Sequence, residues 1–447
     1  MNLSDKFFSL FQRDAMLFFA TLLTGIVIAR QLGPEMMGVW TILLLIPGYA
    51  EAFGRLQFDQ SAVYFIGKKK ADIGEITFLL HVVAVVATAI IISIFFVGFD
   101  WFYGQLFKNV ELDARAFAYA ILSLFPLRLI YINYSYLLIA QEDVLAYNSV
   151  VILQALITSV ASIGMILIFD MGLMGALMGS VMGLIISIVY AANKVQQLEK
   201  LKPNFNLKLL YEMAKYAVHH YISGLIGYFQ SNVTSLIAVM YIAPAQVAFY
   251  AVGKSICEVA TRMVPAAVNT VLFPRVSRTE NAHDSSMLVA RLFRITLLIL
   301  LLSSCVLAIL IKPVVFILYG SDYYPLIVPF LIMIAGVVVV QSATVFSSYF
   351  SGRGRPDLLA KISVLPLLIQ IFLAVFLVPE YGVNGAALSF VLSAILLFFA
   401  QIFCFLRFSG LSLKDIVIQF QDVTTVWSFA LDKLTIIIGI LCSKKRI

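Results

Sequence analysis

The chain has 447 residues, of which 62% are hydrophobic and only 12% charged, and its net charge is +7. Globular domains carry about 45–50% apolar and about 25% charged residues, so this composition excludes an ordinary soluble domain. With a mean hydropathy of +0.99, it predicts an all-α integral membrane protein. The surplus of Lys and Arg then reports on topology, and we expect no nucleic-acid partner. The four cysteines are far apart, so we predict neither a metal site nor a disulfide framework.

Twelve apolar segments are long enough to cross a bilayer, which takes about 20 helical residues. The segments lie at roughly 14–32, 37–58, 74–97, 116–139, 145–169, 173–192, 214–240, 245–273, 289–311, 326–350, 358–378 and 383–406. Short loops join them, so we predict no extramembrane domain. No small-residue cleavage site follows the first segment, and we expect it to remain as a helix.

Lys and Arg are distributed unevenly between the loops on the two sides. With both termini in the cytoplasm, 24 of the 31 basic residues fall on the cytoplasmic side and 4 on the other. This asymmetry predicts a multi-pass protein with cytoplasmic termini.

The C-terminal tail, 409–447, differs from the rest of the chain because apolar residues recur in it at helical spacing among polar ones. They are Leu413, Ile416, Val417, Phe420 and Val423. The spacing predicts an amphipathic helix on the cytoplasmic membrane surface. The apolar segment 434–442 is too short to span a bilayer alone, so we predict that it is peripheral.

Two short motifs recur at the same offset of 210 residues. Leu32-Gly33-Pro34 aligns with Ile242-Ala243-Pro244, and the turn at Gly172 aligns with the turn at Gly382. The repeat predicts two six-helix lobes, 1–200 and 201–408. Because six is even, both lobes cross the membrane in the same sense, as in parallel-repeat transporters.

Four segments resemble the polysaccharide-transport family of the multidrug/oligosaccharidyl-lipid/polysaccharide (MOP) superfamily. They read IARQLGPEMMGVW at 28–40, FYAV at 249–252, FPRVS at 273–277 and YGVNGAA at 381–387. The family includes O-antigen and lipid-linked oligosaccharide flippases. The resemblance implies a MATE-like, V-shaped transporter that moves undecaprenyl-pyrophosphate-linked sugars to the outer leaflet of the bacterial inner membrane by alternating access.

The resemblance also implies a transporter, not an enzyme, without a cofactor but with H⁺ or Na⁺ as candidate coupling ions. The expected partners are the lipid-linked oligosaccharide, membrane lipids, and a polymerase and chain-length regulator of the same pathway. Two alternatives stay open: a cation-coupled multidrug antiporter of the same superfamily, and a membrane glycosyltransferase, polymerase or ligase. The antiporter would favour an acidic or neutral cavity, and the enzyme would need a catalytic loop.

Charged residues inside predicted spans are costly, at about 2.5–3.5 kcal/mol each at mid-bilayer, so they are expected to face protein or water. Lys254, Glu258 and Arg262 fall at i, i+4 and i+8 of the eighth span and share one helix face. We interpret Lys254 and Arg262 as substrate-binding residues and Glu258 as an ion-coupling candidate. The alternative is a self-neutralising set that permits insertion.

The second span carries three charged residues at the same spacing but with the signs reversed, namely Glu51, Arg55 and Asp59. The 210-residue repeat makes the second and eighth spans equivalent, so we expect both charged faces to line one cavity. Arg55 is then a substrate-binding candidate and Glu51 an ion-coupling candidate, while Arg55 and Asp59 could alternatively mark the cytoplasmic end of the helix.

Three further polar residues lie in or beside predicted spans. Arg128 has no charged neighbour within one turn, so its partner is either a residue of another helix or the substrate. Arg30 stands at the predicted outer mouth, as a substrate contact or an interfacial anchor. His81 is a candidate for a coupling proton or a hydrogen-bonded packing residue.

Overall fold

The computed structural model describes residues 3–278, 281–424 and 428, and within these ranges it contains helices and no strands. The helices are α1 (Leu3–Gly54), α2 (Phe58–Gly67), α3 (Ile73–Leu106), α4 (Arg115–Leu122), α5 (Leu124–Ala140), α6 (Val144–Leu167), α7 (Gly172–Leu198), α8 (Leu207–Tyr241), α9 (Pro244–Arg278), α10 (Ala282–Leu318), α11 (Ile327–Gly352), α12 (Pro356–Ser409) and α13 (Leu413–Ile416). A 3₁₀ turn, Ser321–Leu326, precedes α11. The predicted all-α architecture is confirmed.

Nine helices in the described ranges are long and apolar enough to cross a membrane. Two of them each contain two predicted spans: α1 is broken at Gly33 (φ 72°) and α12 at Gly382 (φ 57°). A positive φ is readily adopted only by glycine, so these residues separate consecutive spans without a loop. The more polar α9 covers the remaining predicted span, 245–273.

Both pairs of duplicated turns are helix breaks. Gly172 (φ 50°) lies at the start of α7, and its counterpart is the break at Gly382. Gly33 corresponds to Ala243, where α8 gives way to α9 through an extended Ile242 and a proline at the start of α9. Proline fits the first helical position because its nitrogen needs no hydrogen bond there.

The second predicted span ends earlier than expected, which corrects one prediction. α1 stops at Gly54, and Leu56 (φ 52°) and Gln57 (φ 57°) then turn the chain into the unpredicted helix α2. Asp59 therefore belongs to α2, and the charged set does not lie on one continuous helix.

The predicted amphipathic tail helix is also wrong as a continuous helix. α13 has four residues, begins with a capping box between Ser412 and Asp415, and ends before an extended Val417. Helical structure resumes only at Phe420. The prediction for 434–442 lies outside the described residues.

The chain forms two compact units. Unit 1 comprises 1–252, 314–329 and 371–386, and unit 2 comprises 253–313, 330–370 and 387–447. The core of unit 1 includes Phe65, Leu79 and Leu137, and that of unit 2 is rich in aromatic residues such as Phe293 and Phe346. The division into two six-helix lobes stays a prediction.

Candidate functional site

A polar cavity of about 430 Å³ lies within unit 1, between α1, α5, α6 and α7. Its charged lining residues are Glu51, Arg55 and Arg128, and its polar ones are Tyr131, Ser135, Tyr136, Tyr147, Gln154 and Ser180. Three of the eight predicted site residues thus meet in one cavity, although they come from distant parts of the sequence.

The partner of Arg128 is Glu51. Arg128 Nε on α5 lies 2.9 Å from Glu51 Oε2 on α1, and the two side chains are 43% and 19% exposed. Neither terminal nitrogen of Arg128 has a hydrogen-bond partner in the part of the chain that the structure describes. A guanidinium carries five N–H donors, so Arg128 keeps donors available on the cavity side after pairing.

Arg55 is held in a different way. Its Nε and Nη2 donate to the two carboxylate oxygens of Asp59 at 3.1 and 2.5 Å. Asp59 is only 1% exposed, and the Arg55 guanidinium lies 5.2 Å from the centre of the Tyr136 ring. This bidentate geometry assigns Arg55 first to holding α2 against the end of α1, because a buried carboxylate requires a fixed cation.

The tyrosines and hydroxyl residues of the cavity are absent from the sequence-based site prediction. The sequence contains a signal for some of these lining residues. Arg128, Tyr131 and Ser135 fall at i, i+3 and i+7, so they share one face of α5. Tyr147 and Gln154 come from α6, which contains no charged residue that would mark it as part of a polar site.

The cavity combines free guanidinium donors with hydroxyl, amide and aromatic groups. Arginine donates paired hydrogen bonds to phosphate or carboxylate oxygens, and hydroxyls and amides bond sugar hydroxyl groups. The carboxylate of Glu51 offsets one of the two arginines lining the cavity, which lowers the cost of burying positive charge within a membrane. Chemically, this lining suits an anionic, hydroxyl-rich molecule.

The charged residues of α9 lie in unit 2. Lys254 is 13% exposed and its Nζ lies 3.6 Å from Glu258 Oε1, while Glu258 is 49% exposed. The ammonium also lies 5.6 Å from the centre of the Phe390 ring. Arg262 is exposed one turn further along the helix. A cavity shared by the charged face of α9 with Glu51 and Arg55 stays a prediction.

Arg30 and His81 do not line the cavity of unit 1 that contains Arg55 and Arg128, which we call the arginine cavity. Arg30 Nη2 donates to the carbonyl oxygen of Ile317 at 2.8 Å, near the C-terminal end of α10. His81 Nδ1 lies 2.6 Å from the Thr77 carbonyl oxygen, and its side chain lines a separate cavity of about 140 Å³ with Tyr134 and Glu199. Within the described residues, no group of three or more His, Cys, Asp or Glu side chains could hold a metal ion.

Comparison with known sequences identifies the family. Residues 6–280 match the sequence profile of the polysaccharide biosynthesis protein family. The chain belongs to this family. The match covers more than half of the chain, including all the helices that line the arginine cavity.

One relative of this family member is the probable low-salt glycan biosynthesis flippase Agl15 of Haloferax volcanii. The two are 26% identical over 214 residues, which is 47% of this chain and 44% of Agl15. The aligned region thus spans less than half of the relative's length.

Solved structures share the fold at low sequence identity. The lipid II flippase MurJ in an inward closed conformation has a TM-score of 0.75 at 16% identity, covering 97% of this chain and 96% of MurJ. An inward-facing MATE family multidrug resistance transporter of the MOP superfamily has a TM-score of 0.74 at 14% identity, covering 88% and 94%. The predicted MOP-type membrane fold is confirmed.

Proposed function

We propose that this protein is a flippase for a lipid-linked oligosaccharide. The observation that carries the proposal is the cavity in unit 1, where Arg128 presents free donors among tyrosines and other polar side chains. The family membership and the relation to the glycan flippase Agl15 support a glycan as cargo.

A pyrophosphate-linked substrate explains the charge of this cavity. The sugar hydroxyls meet Ser, Gln and Tyr side chains, and the diphosphate meets the guanidinium, because an uncompensated phosphate is costly at membrane depth. We propose undecaprenyl-pyrophosphate as the lipid carrier and a surface polysaccharide, such as O-antigen, capsule or exopolysaccharide, as the product pathway. A polymerase and chain-length regulator then act downstream.

The proposed orientation places both termini in the cytoplasm of a bacterial inner membrane, in accordance with the distribution of Lys and Arg. The two six-helix lobes, 1–200 and 201–408, are the proposed moving parts of an alternating-access cycle driven by an ion gradient. In this scheme the protein moves its substrate and makes or breaks no covalent bond.

A transport assay with reconstituted protein tests the proposal. Vesicles containing a fluorescent undecaprenyl-pyrophosphate oligosaccharide report flipping through the accessibility of the sugar to an added lectin. We expect Arg128→Ala to slow flipping about 10- to 100-fold, since hydrogen bonds to charged groups contribute about 1.5–3 kcal/mol. Arg128→Lys keeps the charge but loses the bidentate geometry, and we expect partial activity.

Arg115→Ala is the matched control, because Arg115 is 60% exposed near the start of α4 and does not line the cavity. Its flipping rate should equal that of the wild type. Flipping by Arg128→Ala at the wild-type rate would contradict the proposal, and so would a wild-type protein that exports cationic drugs but leaves the glycolipid in place.

A further inference from the structure

The described part of the C-terminal tail is anchored by a buried ion pair. Arg294 on α10 is 8% exposed and Asp422 on the tail 3%. Arg294 Nε and Nη2 donate to the two carboxylate oxygens of Asp422 at 2.7 and 3.3 Å, and Arg294 Nη1 donates to the carbonyl oxygen of Asp415. Desolvation acts to raise the pKa of Asp422, but the bonds from Arg294 and from the Gln419 N–H outweigh it and lower that pKa.

A second anchor is apolar. Ile416 is 6% exposed and belongs to the core of unit 2 together with Val276, Phe293, Tyr349 and Phe405. These residues come from α9, α10, α11 and α12, so Ile416 joins a core to which all four helices contribute.

The tail also carries apolar side chains that are exposed. Leu413, Val417, Phe420 and Val423 are 64%, 61%, 82% and 43% exposed. They come from α13, from the extended residue Val417 and from the helical stretch that starts at Phe420, and together they form the apolar stripe of the tail. In water this stripe would be unfavourable, because exposed apolar side chains forgo the free energy that is gained when they are buried.

The position of the anchors places this stripe at the edge of the bilayer. Arg294 lies five residues inside the predicted span 289–311, or about 8 Å along the helix at 1.5 Å per residue. Leu413 follows the end of α12 by only four residues, so the tail begins where that helix ends. A segment anchored at this depth lies at the boundary between the lipid headgroups and the acyl chains.

We propose that residues 411–424 form an interfacial strap, in which Ile416 and Asp422 bind the helices of unit 2 while Leu413, Val417 and Phe420 insert among lipids. Segments of this kind bury their apolar face about 5–10 Å into the boundary between headgroups and acyl chains. Lys414 lies beside the stripe and is exposed, where its ammonium reaches lipid phosphates.

Spin labels on the full-length protein in lipid vesicles test the strap. In the background, Cys305, Cys404 and Cys442 are replaced by Ala, and the buried Cys257 is retained. A label at Phe420→Cys should be more accessible to oxygen, which dissolves in lipid, than to a water-soluble nickel chelate. A label at Lys414→Cys, the matched control on the same segment, should show the reverse preference.

A second variant tests the anchor. Asp422→Ala combined with Phe420→Cys should raise the mobility of the label severalfold, because Arg294 no longer holds the segment, while a label at Lys108→Cys, in the loop after α3, should be unaffected. Nickel accessibility at Phe420→Cys equal to that at Lys414→Cys would overturn the proposal. A Phe420→Cys label shielded from both reagents would also overturn it, because protein and not lipid would then cover the stripe.

Discussion

Arg128 and Glu51 face each other at 2.9 Å across the cavity of unit 1, although they are 77 positions apart in the sequence. Glu51 offsets the charge of Arg128 without occupying its terminal nitrogens. The pair can therefore keep a guanidinium at membrane depth and still leave it able to bind an anion.

Exchanging the two charges separates these roles. The double variant Glu51→Arg with Arg128→Glu preserves the ion pair, so we expect near-normal membrane levels and thermal stability. It moves the free donors from α5 to α1, and we expect flipping to fall about 10-fold or more, as for the loss of a hydrogen bond to a charged group. Flipping in vesicles and melting in detergent measure the two effects. Wild-type transport by the exchanged protein would show that the pair serves only insertion.

The Arg55–Asp59 pair should contribute to stability more than to transport. Asp59→Ala leaves the Arg55 guanidinium without the carboxylate that it contacts at two points, and breaking a buried pair costs about 3–5 kcal/mol. A clear drop in melting temperature in detergent is expected. Asp357→Ala is the control, because its i,i+4 pair with Lys361 is exposed at 55% and 73% and should change the melting temperature little. Equal melting temperatures for the two variants would refute the assignment.

Gly38 on α1 lies against the backbone at the start of α9. A Cβ added to Gly38 would lie 1.9 Å from the carbonyl oxygen of Pro244, so Gly38→Ala must push the two segments apart. Overpacking of this kind costs about 1–3 kcal/mol, and the melting temperature should fall accordingly. Gly25→Ala on the same helix meets no atom within 4 Å and should be neutral or stabilising. The prediction fails if both alanine variants have the melting temperature of the wild type.

Lys254 is 13% exposed, and its function can be tested through charge and geometry separately. If it binds substrate, Lys254→Ala should abolish complementation of a flippase-deficient strain at normal expression, while Lys254→Arg should retain part of it. Glu258 is half exposed, so Glu258→Gln should be mild if the carboxylate only neutralises Lys254 and severe if it carries a coupling proton. Full complementation by Lys254→Ala would remove Lys254 from the substrate path.

Sequence patterns predicted the helices and most of their breaks. Apolar length locates the spans, and the motifs at Gly33, Gly172 and Gly382 mark breaks because glycine adopts a positive φ without strain. The break before α2 escaped prediction because Leu56 and Gln57 adopt left-handed conformations there, and neither residue type signals a turn.

The candidate site was predictable only in part. The cost of charge in a membrane singles out Arg128 and Glu51 individually, but their pairing depends on how α5 packs on α1, which no local pattern records. The same limit explains the tail. Its apolar spacing favours one helix. In the described part of the tail, 411–424, helix is instead confined to 413–416 and 420–424, and Arg294 and Asp422, 128 positions apart, form an ion pair.

The spacing of the helix breaks also limits how this chain can vary in length. Gly33 and Gly172 are 139 residues apart, and so are Ala243 and Gly382. An inserted residue would rotate the remainder of its helix by about 100° and advance it by 1.5 Å, which would turn buried faces towards lipid. The equal intervals indicate that neither stretch has gained or lost a net residue relative to the other across the four predicted spans that each contains. Insertions and deletions within these spans should therefore be tolerated poorly, and an engineered tag or fusion belongs before the first predicted span.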